Sequence, residues 1–223
     1  MNLSKQTTVG AIATEHPLAT RVFARHGIDY CCGGGVALGS VCAEMRLDSD
    51  VLLTEIKTEI EESPQAEVRW DEAPIADLIN HILEHYHVPL KEEMPRLEEM
   101  CRKVHRVHGS KDQERFDGLL KIFLAIKEDI DNHLPKEEEM FFPMILAGRR
   151  EMLGGPISVM EAEHEDLGAM LVEMRTLAMD YVVPADACNT WRALWVGLDT
   201  FERDLHEHIH LENNILHKRA FNG

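Results

Sequence analysis

Two stretches of this sequence each carry a histidine followed four residues later by a glutamate. His133 and Glu137 lie in DNHLPKEEEM, and His208 and Glu212 lie in DLHEHIHLENN. Residues four positions apart share one face of an α-helix, with Cβ atoms about 5–6 Å apart, so each pair can contribute ligands to one metal cluster. A single pair of this kind also fits an ordinary charged helix surface, so the interpretation depends on partners elsewhere in the chain.

A further histidine precedes each pair at nearly the same distance. His87 lies 46 residues before His133, and His164 lies 44 residues before His208. The two halves therefore repeat one pattern, a histidine and then His-x-x-x-Glu. Four imidazoles and two carboxylates inside a helical bundle are costly if left unpaired, and metal binding removes that cost. The repeat predicts a dinuclear metal site.

The types of the predicted ligands restrict the metal. Imidazole and carboxylate ligands without thiolate suit iron or manganese, and zinc also accepts them. Glu137 and Glu212, one from each half, are placed to bridge two ions. With two imidazoles, two carboxylate oxygens and an oxo or hydroxo bridge, each ion has about five of six octahedral positions filled. The open position admits a small molecule and also lets the metal leave.

Long amphipathic helices must position these side chains. Apolar residues recur at spacings of three and four, as in Leu119, Ile122, Phe123 and Ile126, which predicts helices with one buried face. Short connections between them favour an antiparallel four-helix bundle. Pro89, Pro95 and Pro135 fall inside these segments and are predicted to kink them. The predicted helices span about 74–106, 111–147, 155–180 and 185–219.

The N-terminal part of the chain has a different pattern, so the all-α fold is predicted to have two domains. Residues 1–62 contain short helical stretches and form a small domain, residues 63–74 form a linker with two prolines, and residues 75–223 form the bundle. The segment IDYCCGGG interrupts the short helices, because three consecutive glycines disfavour a helix interior. The short helices are predicted in TVGAIATEH, PLATRVFARHG, VALGSVCAEMRL and DSDVLLTEIKTEIEE.

Charge and composition exclude several classes of partner. The formal net charge of −17 disfavours nucleic acid and anionic membranes, which require compensating lysine and arginine. No stretch approaches the roughly 20 apolar residues that span a bilayer, and the N-terminus lacks the pattern of a signal peptide. Five cysteines, an odd number, favour a reducing compartment, so we expect the cytoplasm.

In combination, these motifs resemble the repair-of-iron-centres family, the ScdA- and YtfE-like proteins. The resemblance covers nearly the whole chain. It implies a small helical N-terminal domain, followed by a haemerythrin-like bundle that holds two non-haem iron ions. It also implies that Glu137 and Glu212 bridge the ions and that His87, His133, His164 and His208 complete the ligand set. The motifs that carry it are DYCCGGG, HYH, HLPKEEEMFFPMI, GPISVMEAEHE and HIHLENNIL.

The resemblance implies repair of iron–sulfur clusters damaged by nitric oxide or peroxide, with this protein as the iron source. The implied partners are damaged iron–sulfur proteins, with nitric oxide or oxygen as small ligands, and the chain is a monomer or homodimer. Two alternatives stay open. One is a sensor of nitric oxide or oxygen, although no DNA-binding helix or kinase segment is recognisable. The other is an enzyme that reduces nitrogen oxides or peroxide, although no flavin or nicotinamide motif supplies its electrons.

The remaining cysteines and histidines divide into candidates and expected core residues. Cys31 and Cys32, on glycine-rich backbone expected to be flexible and exposed, are predicted to take iron from the bundle or to engage the damaged cluster. Redox chemistry and simple packing are the other interpretations of this pair. Cys42, Cys101 and Cys188 are predicted to be buried hydrophobic residues. Ordinary haemerythrins have a fifth histidine ligand and an aspartate bridge, so it stays open whether an extra histidine competes as a ligand at 85, 206, 210 or 217.

Overall fold

The computed structural model describes residues 3–62 and 68–222 of the chain. Within these ranges the secondary structure is helical, apart from turns and one isolated bridge between Thr8 and Ala37, which confirms the all-α prediction. The chain divides into two compact units, Met1–Asn80 with His206–Gly223 and His81–Leu205. The predicted domain boundaries stay a prediction, and residues 63–67 of the predicted linker lie outside the described ranges.

Four short helices form the N-terminal part of the first unit, and the four predicted stretches contain them. Thr8 caps the first helix by accepting a hydrogen bond from the Ala11 amide at 3.4 Å, and Gly27 ends the second in the left-handed conformation at φ 65°. Their apolar faces bury a common core that includes Ile12, Phe23 and Ile56. The helices are α1 (Val9–Glu15), α2 (Ala19–His26), α3 (Leu38–Met45) and α4 (Ser49–Glu62).

The cysteine loop, residues 28–35 between α2 and α3, has no regular helix. Close packing explains its second glycine: a Cβ atom on Gly34 would lie 2.7 Å from Asn214 Oδ1 and 2.8 Å from the Tyr30 carbonyl oxygen. A Cβ on Gly35 would meet nothing within 4 Å. Close packing therefore requires glycine at position 34, whereas position 35 has room for a larger residue.

The long helices occupy the rest of the chain, and three of them contain a π-helical turn. In the unit His81–Leu205, α7 packs against both α6 and α9. Helix α10 meets α6 where a Cβ on Gly197 would lie 2.6 Å from Leu97, and it meets α9 where Arg175 donates to Glu202 at 2.9 Å. Fully buried Phe123 and Trp195 belong to this core. The elements are α5 (Ile75–Ile82), π1 (Leu83–His87), α6 (Val88–His108), α7 (Gln113–Lys136), π2 (Glu137–Phe141), α8 (Phe142–Leu146), α9 (Gly154–Leu177), α10 (Asn189–His210), π3 (Leu211–Leu216) and α11 (His217–Asn222).

Prolines adjoin two of the π-helical turns. Pro89 and Pro143 each follow the end of such a turn by two residues. The wide turns are closed by bonds from Val88 N–H to the Leu83 carbonyl and from Phe142 N–H to the Glu137 carbonyl. Proline has no N–H to offer the preceding turn, so the normal bonding pattern is already broken there. Helix α6 runs through Pro95. None of the described helices is long and apolar enough to cross a membrane.

Replacing Gly34 with alanine should destabilise the protein by about 2 kcal/mol, because the new methyl group must displace Asn214 or the Tyr30 carbonyl. Gly35→Ala is the matched control and should change the free energy of unfolding by less than about 0.5 kcal/mol. Urea denaturation followed by circular dichroism measures both. Equal stability of the two variants would show that the packing at Gly34 is not tight.

Candidate metal centre

Two histidines from neighbouring helices face each other inside the unit His81–Leu205. His133 lies near the end of α7 and His164 in the middle of α9, and both are buried. Their Nε2 atoms are 3.1 Å apart. Adjacent nitrogen ligands about 2.1 Å from an octahedral ion are about 3.0 Å from each other. The pair is thus spaced as two ligands of one ion.

Glu137 is a charged residue type whose side chain is fully buried. Its Oε1 lies 3.2 Å from His133 Nε2, and its Oε2 lies 3.5 Å from His87 Nε2. Neither oxygen accepts a hydrogen bond, so both approaches lack hydrogen-bond geometry. Ligand atoms of Glu137, His133 and His164 lie within 4.8 Å of one another. A carboxylate that turns one oxygen toward each of two imidazoles has the arrangement that bridging two ions requires.

Each π-helical turn carries one of the predicted ligands. His87 is the last residue of π1, Glu137 is the first of π2, and Glu212 lies in π3. Such turns are rare and often mark functional sites, because one extra residue per turn changes which side chains point inward. The sequence repeat predicts the ligands, and the structure shows that three of them, His87, Glu137 and Glu212, lie in π-helical turns.

An ionised carboxylate orients His87 from the side opposite Glu137. His87 Nδ1 donates to Glu138 Oε1 at 2.8 Å, and Lys91 Nζ donates to the same carboxylate at 2.7 Å. Burial acts to raise the pKa of Glu138, but the bonds from Lys91 and His87 hold it below its ordinary value. With Nδ1 as the donor, the ring lone pair of His87 lies on Nε2, the atom that faces Glu137.

His133 has the same arrangement. Its Nδ1 donates to Glu163 Oε2 at 2.7 Å, and Lys136 donates to the other oxygen of Glu163. The pKa of Glu163, which burial acts to raise, is held low by Lys136 and His133. The sequence analysis did not predict the role of Glu163. The available signal was a lysine about one helical turn after each histidine: Lys136 follows His133, and Lys91 follows His87.

The second His-x-x-x-Glu pair lies in the other unit and makes a direct contact. His208 Nε2 is 3.0 Å from Glu212 Oε1, and both side chains are buried. Helix α10 extends through His208, and π3 begins immediately before Glu212. The structure therefore contains buried histidine and glutamate clusters, without sulfur, that suit a di-metal site. That all six residues serve one pair of ions stays a prediction.

The cysteine loop contains a second group of potential ligands. Asp29 Oδ1 accepts bonds from the Cys31 amide (2.9 Å), the Cys32 amide (3.0 Å) and Cys31 Sγ (3.2 Å). The two sulfur atoms are 3.7 Å apart. Two thiolates about 2.3 Å from a tetrahedral ion are about 3.8 Å apart, so the spacing fits one metal ion and is far too long for a disulfide.

Cys31 is not exposed, contrary to the expectation for glycine-rich backbone. It is only 3% accessible, because Asp29 folds the loop back over its own amides, while Cys32 is partly exposed. The neighbouring Cys32 thiol, burial and the Asp29 charge together raise the pKa of Cys31 well above its ordinary value. Cys31 is therefore a protonated thiol at neutral pH in this conformation, and its reactivity requires opening of the loop.

The single cysteines mostly follow the prediction. Cys42 and Cys101 are buried, and burial raises the pKa of Cys101 to about 12. The prediction for Cys188 was wrong, because this residue is exposed. It stands immediately before α10, outside the helix, and its sulfur lies 3.2 Å from His108 Nε2.

The extra histidines do not join the groups of potential ligands found among the described residues. His210 is buried, and burial lowers its pKa to about 4, so its imidazole is neutral. Its Nδ1 lies 3.2 Å from the amide nitrogen of Asn214. His206 meets the ring of Tyr30 edge-on, and the His85 ring lies 4.2 Å from the His81 ring at a tilt of 36°.

Removing the charge of Asp29 should make Cys31 more reactive. In Asp29→Asn the amide oxygen still accepts from the Cys31 and Cys32 amides, but the Gly33 amide loses its acceptor, which loosens the loop. The negative charge that helps to raise the thiol pKa is also gone. A lower pKa gives more thiolate at a given pH, and we expect roughly threefold faster alkylation of Cys31 at pH 8. Peptide mass spectrometry of iodoacetamide-treated protein measures the rate, and an unchanged rate would contradict the role assigned to the charge.

Glu138→Ala and Glu163→Ala should each weaken metal binding about 10- to 100-fold, because His87 and His133 lose the acceptors that orient them. Glu139 is exposed, and Glu139→Ala is the matched control from the same acidic run. Competition with a metal-binding dye measures the affinities for Fe²⁺ under argon. Affinities equal to that of Glu139→Ala would refute this orienting role.

Comparison with known proteins accords with this geometry. Residues 78–220 match the haemerythrin HHE cation binding domain, and residues 5–59 match the ScdA_N domain, which is described as a domain of unknown function. The chain is 41% identical over 219 residues to the iron-sulfur cluster repair protein YtfE of Musicola paradisiaca (strain Ech703), covering 98% of both chains. It is 40% identical, with the same coverage, to the proteins of that name from Yersinia pseudotuberculosis serotype IB (strain PB1/+) and Yersinia pestis (strain Pestoides F). The chain therefore belongs to the haemerythrin HHE family and, within it, to the YtfE- and ScdA-like proteins.

Proposed function

We propose that this protein repairs damaged iron–sulfur clusters by donating iron from a di-iron centre. The relatives named as iron-sulfur cluster repair proteins match it over nearly its whole length. The recipients we propose are iron–sulfur proteins damaged by oxidative or nitrosative stress, with nitric oxide or oxygen as small ligands of the centre. The ligands we propose are His87, His133, Glu137, His164, His208 and Glu212.

The buried carboxylate of Glu137 is the observation that carries the proposal. A carboxylate removed from water and given no hydrogen bond is strongly destabilising unless a cation neutralises it. Its two oxygens lie 3.2 Å and 3.5 Å from the Nε2 atoms of His133 and His87, whose Nδ1 atoms donate to other carboxylates. Imidazole and carboxylate ligands of this kind match non-haem iron, with Glu137 and Glu212 as bridges together with an oxo or hydroxo group.

Such a centre is suited to release its iron. The six ligands leave coordination positions open, and no thiolate holds the metal in place. In the ferrous, hydroxo-bridged state no electron is needed: Cys31 and Cys32 would each give up a thiol proton on taking an Fe²⁺ ion, and the carboxylate and imidazole groups left behind are bases that accept these protons. The 3.7 Å spacing of the two sulfur atoms supports this transfer role for the cysteine pair.

The test of donation uses protein loaded with ⁵⁷Fe and a nitrosylated [4Fe–4S] enzyme, with no other iron present. We expect the enzyme to regain activity and to acquire ⁵⁷Fe, with matching loss of iron from the donor. Mass spectrometry of both separated proteins measures the isotope. Recovery without ⁵⁷Fe in the enzyme, or consumption of nitric oxide with the donor's iron retained, would contradict donation and favour an enzyme at the di-iron centre.

The double variant Cys31→Ala/Cys32→Ala tests the transfer step separately. It should retain its iron but deliver it at least about tenfold more slowly, because the thiol ligands on the exit route are absent. Cys188→Ser removes an exposed thiol elsewhere and is the matched control, expected to deliver iron at the wild-type rate. Equal delivery by the double variant and the control would remove the cysteine pair from the proposal while leaving donation intact.

A further inference from the structure

Asn214 joins the turn π3 to the cysteine loop. Its amide nitrogen donates to the carbonyl oxygens of Tyr30 at 3.1 Å and Cys31 at 3.0 Å, and its Oδ1 accepts from Lys218 at 3.0 Å. The side chain is buried. The Cys31 carbonyl belongs to the peptide group that links Cys31 to Cys32. Asn214 therefore holds the peptide that sets the spacing of the two thiols.

The loop and the first helix are shaped around this side chain. A Cβ atom on Gly34 would lie 2.7 Å from Asn214 Oδ1, and a Cβ on Gly10 of α1 would lie 2.5 Å from the same atom. Both distances are shorter than any normal contact, so a side chain at either position would displace Asn214. Gly10 and Gly34 thus both leave space for the side-chain amide of Asn214.

The same turn carries a predicted metal ligand. Glu212 precedes Asn214 by two residues, and residues two apart on a helical turn point to nearly opposite sides. Glu212 accepts a bond from His208 at 3.0 Å, while Asn214 binds the loop. The turn is closed by the bond from His217 N–H to the Glu212 carbonyl. One hydrogen-bonded turn therefore presents a metal ligand on one side and the anchor of the cysteine loop on the other.

We propose that Asn214 is a positioning residue through which metal binding at Glu212 controls access to Cys31 and Cys32. The inference rests on the proposed function, since it needs ions bound by Glu212 and His208. Bound ions hold π3 in place, π3 holds Asn214, and Asn214 keeps the loop closed with the thiols at their metal-binding spacing. Departure of the ions frees the turn and opens the loop toward the recipient protein.

The test measures alkylation of Cys31 and Cys32 by iodoacetamide in metal-free and Mn²⁺-loaded protein, resolved by peptide mass spectrometry. Mn²⁺ is the probe because it prefers carboxylate over thiolate ligands, which directs it to the histidine and glutamate cluster rather than to the cysteines. Alkylation of buried Cys31 requires loop opening, which makes the rate a measure of that opening. In the wild-type protein we expect loading to slow alkylation of Cys31 by about tenfold.

Asn214→Asp keeps the size of the side chain but removes both N–H donors. It should bind Mn²⁺ with unchanged stoichiometry, while the loaded and metal-free alkylation rates should differ by less than about twofold. Asn214→Ser serves the same purpose if the buried carboxylate prevents folding, which circular dichroism detects. Asn132→Ala is the control, because that exposed side chain donates to the Glu128 carbonyl on its own helix. It should keep the wild-type ratio.

The outcomes separate this inference from the proposed function. If wild-type protein binds Mn²⁺ and its alkylation rate does not change, or if Asn214→Asp keeps the tenfold ratio, the coupling is refuted and the metal centre stands. A merely structural role for Asn214 raises both rates equally and preserves the ratio, which also refutes it. If wild-type protein binds no Mn²⁺ or Fe²⁺, the proposed centre itself fails.

Discussion

A carboxylate without water or hydrogen bonds is the constraint on which the rest of this structure depends. Glu137 is fully buried, and each of its oxygens faces the Nε2 atom of a different imidazole. Such a group destabilises the folded chain unless positive charge compensates it. A cation bound there, as we propose, would supply that charge, and the metal affinity would then be linked to the stability of the helices around Glu137.

Two further carboxylates, Glu138 and Glu163, orient the histidines around Glu137 in the same way. Glu138 and Glu163 stay ionised because each is held by a lysine and a histidine. They accept hydrogen bonds from the Nδ1 atoms of His87 and His133, so that the Nε2 atoms of these rings face Glu137. The negative charge of the outer carboxylates also strengthens the imidazoles as ligands. Carboxylates nearer the surface thereby orient the imidazoles of the interior.

The sequence predicted the helices well and supplied a set of candidate ligands, because both leave periodic signals. Apolar spacing indicated the long helices, and the repeat of His-x-x-x-Glu singled out residues such as His133 and Glu212. The π-helical turns were not predicted, since one extra residue per turn does not alter the sequence pattern enough to be recognised. Glu163 was missed because its contact with His133 joins two helices. Burial of Cys31 was missed for a similar reason: Asp29 closes the loop locally, and Asn214 holds it from a position 183 residues away.

The central claim is that Glu137 and its partners bind two ions that share a bridge. X-ray absorption at the iron edge of the anaerobically reconstituted protein tests it most directly. The account predicts about two irons per chain, a shell of nitrogen and oxygen without sulfur, and iron–iron scattering at about 3.5 Å. One iron per chain, sulfur in the first shell, or no iron–iron scattering would contradict it.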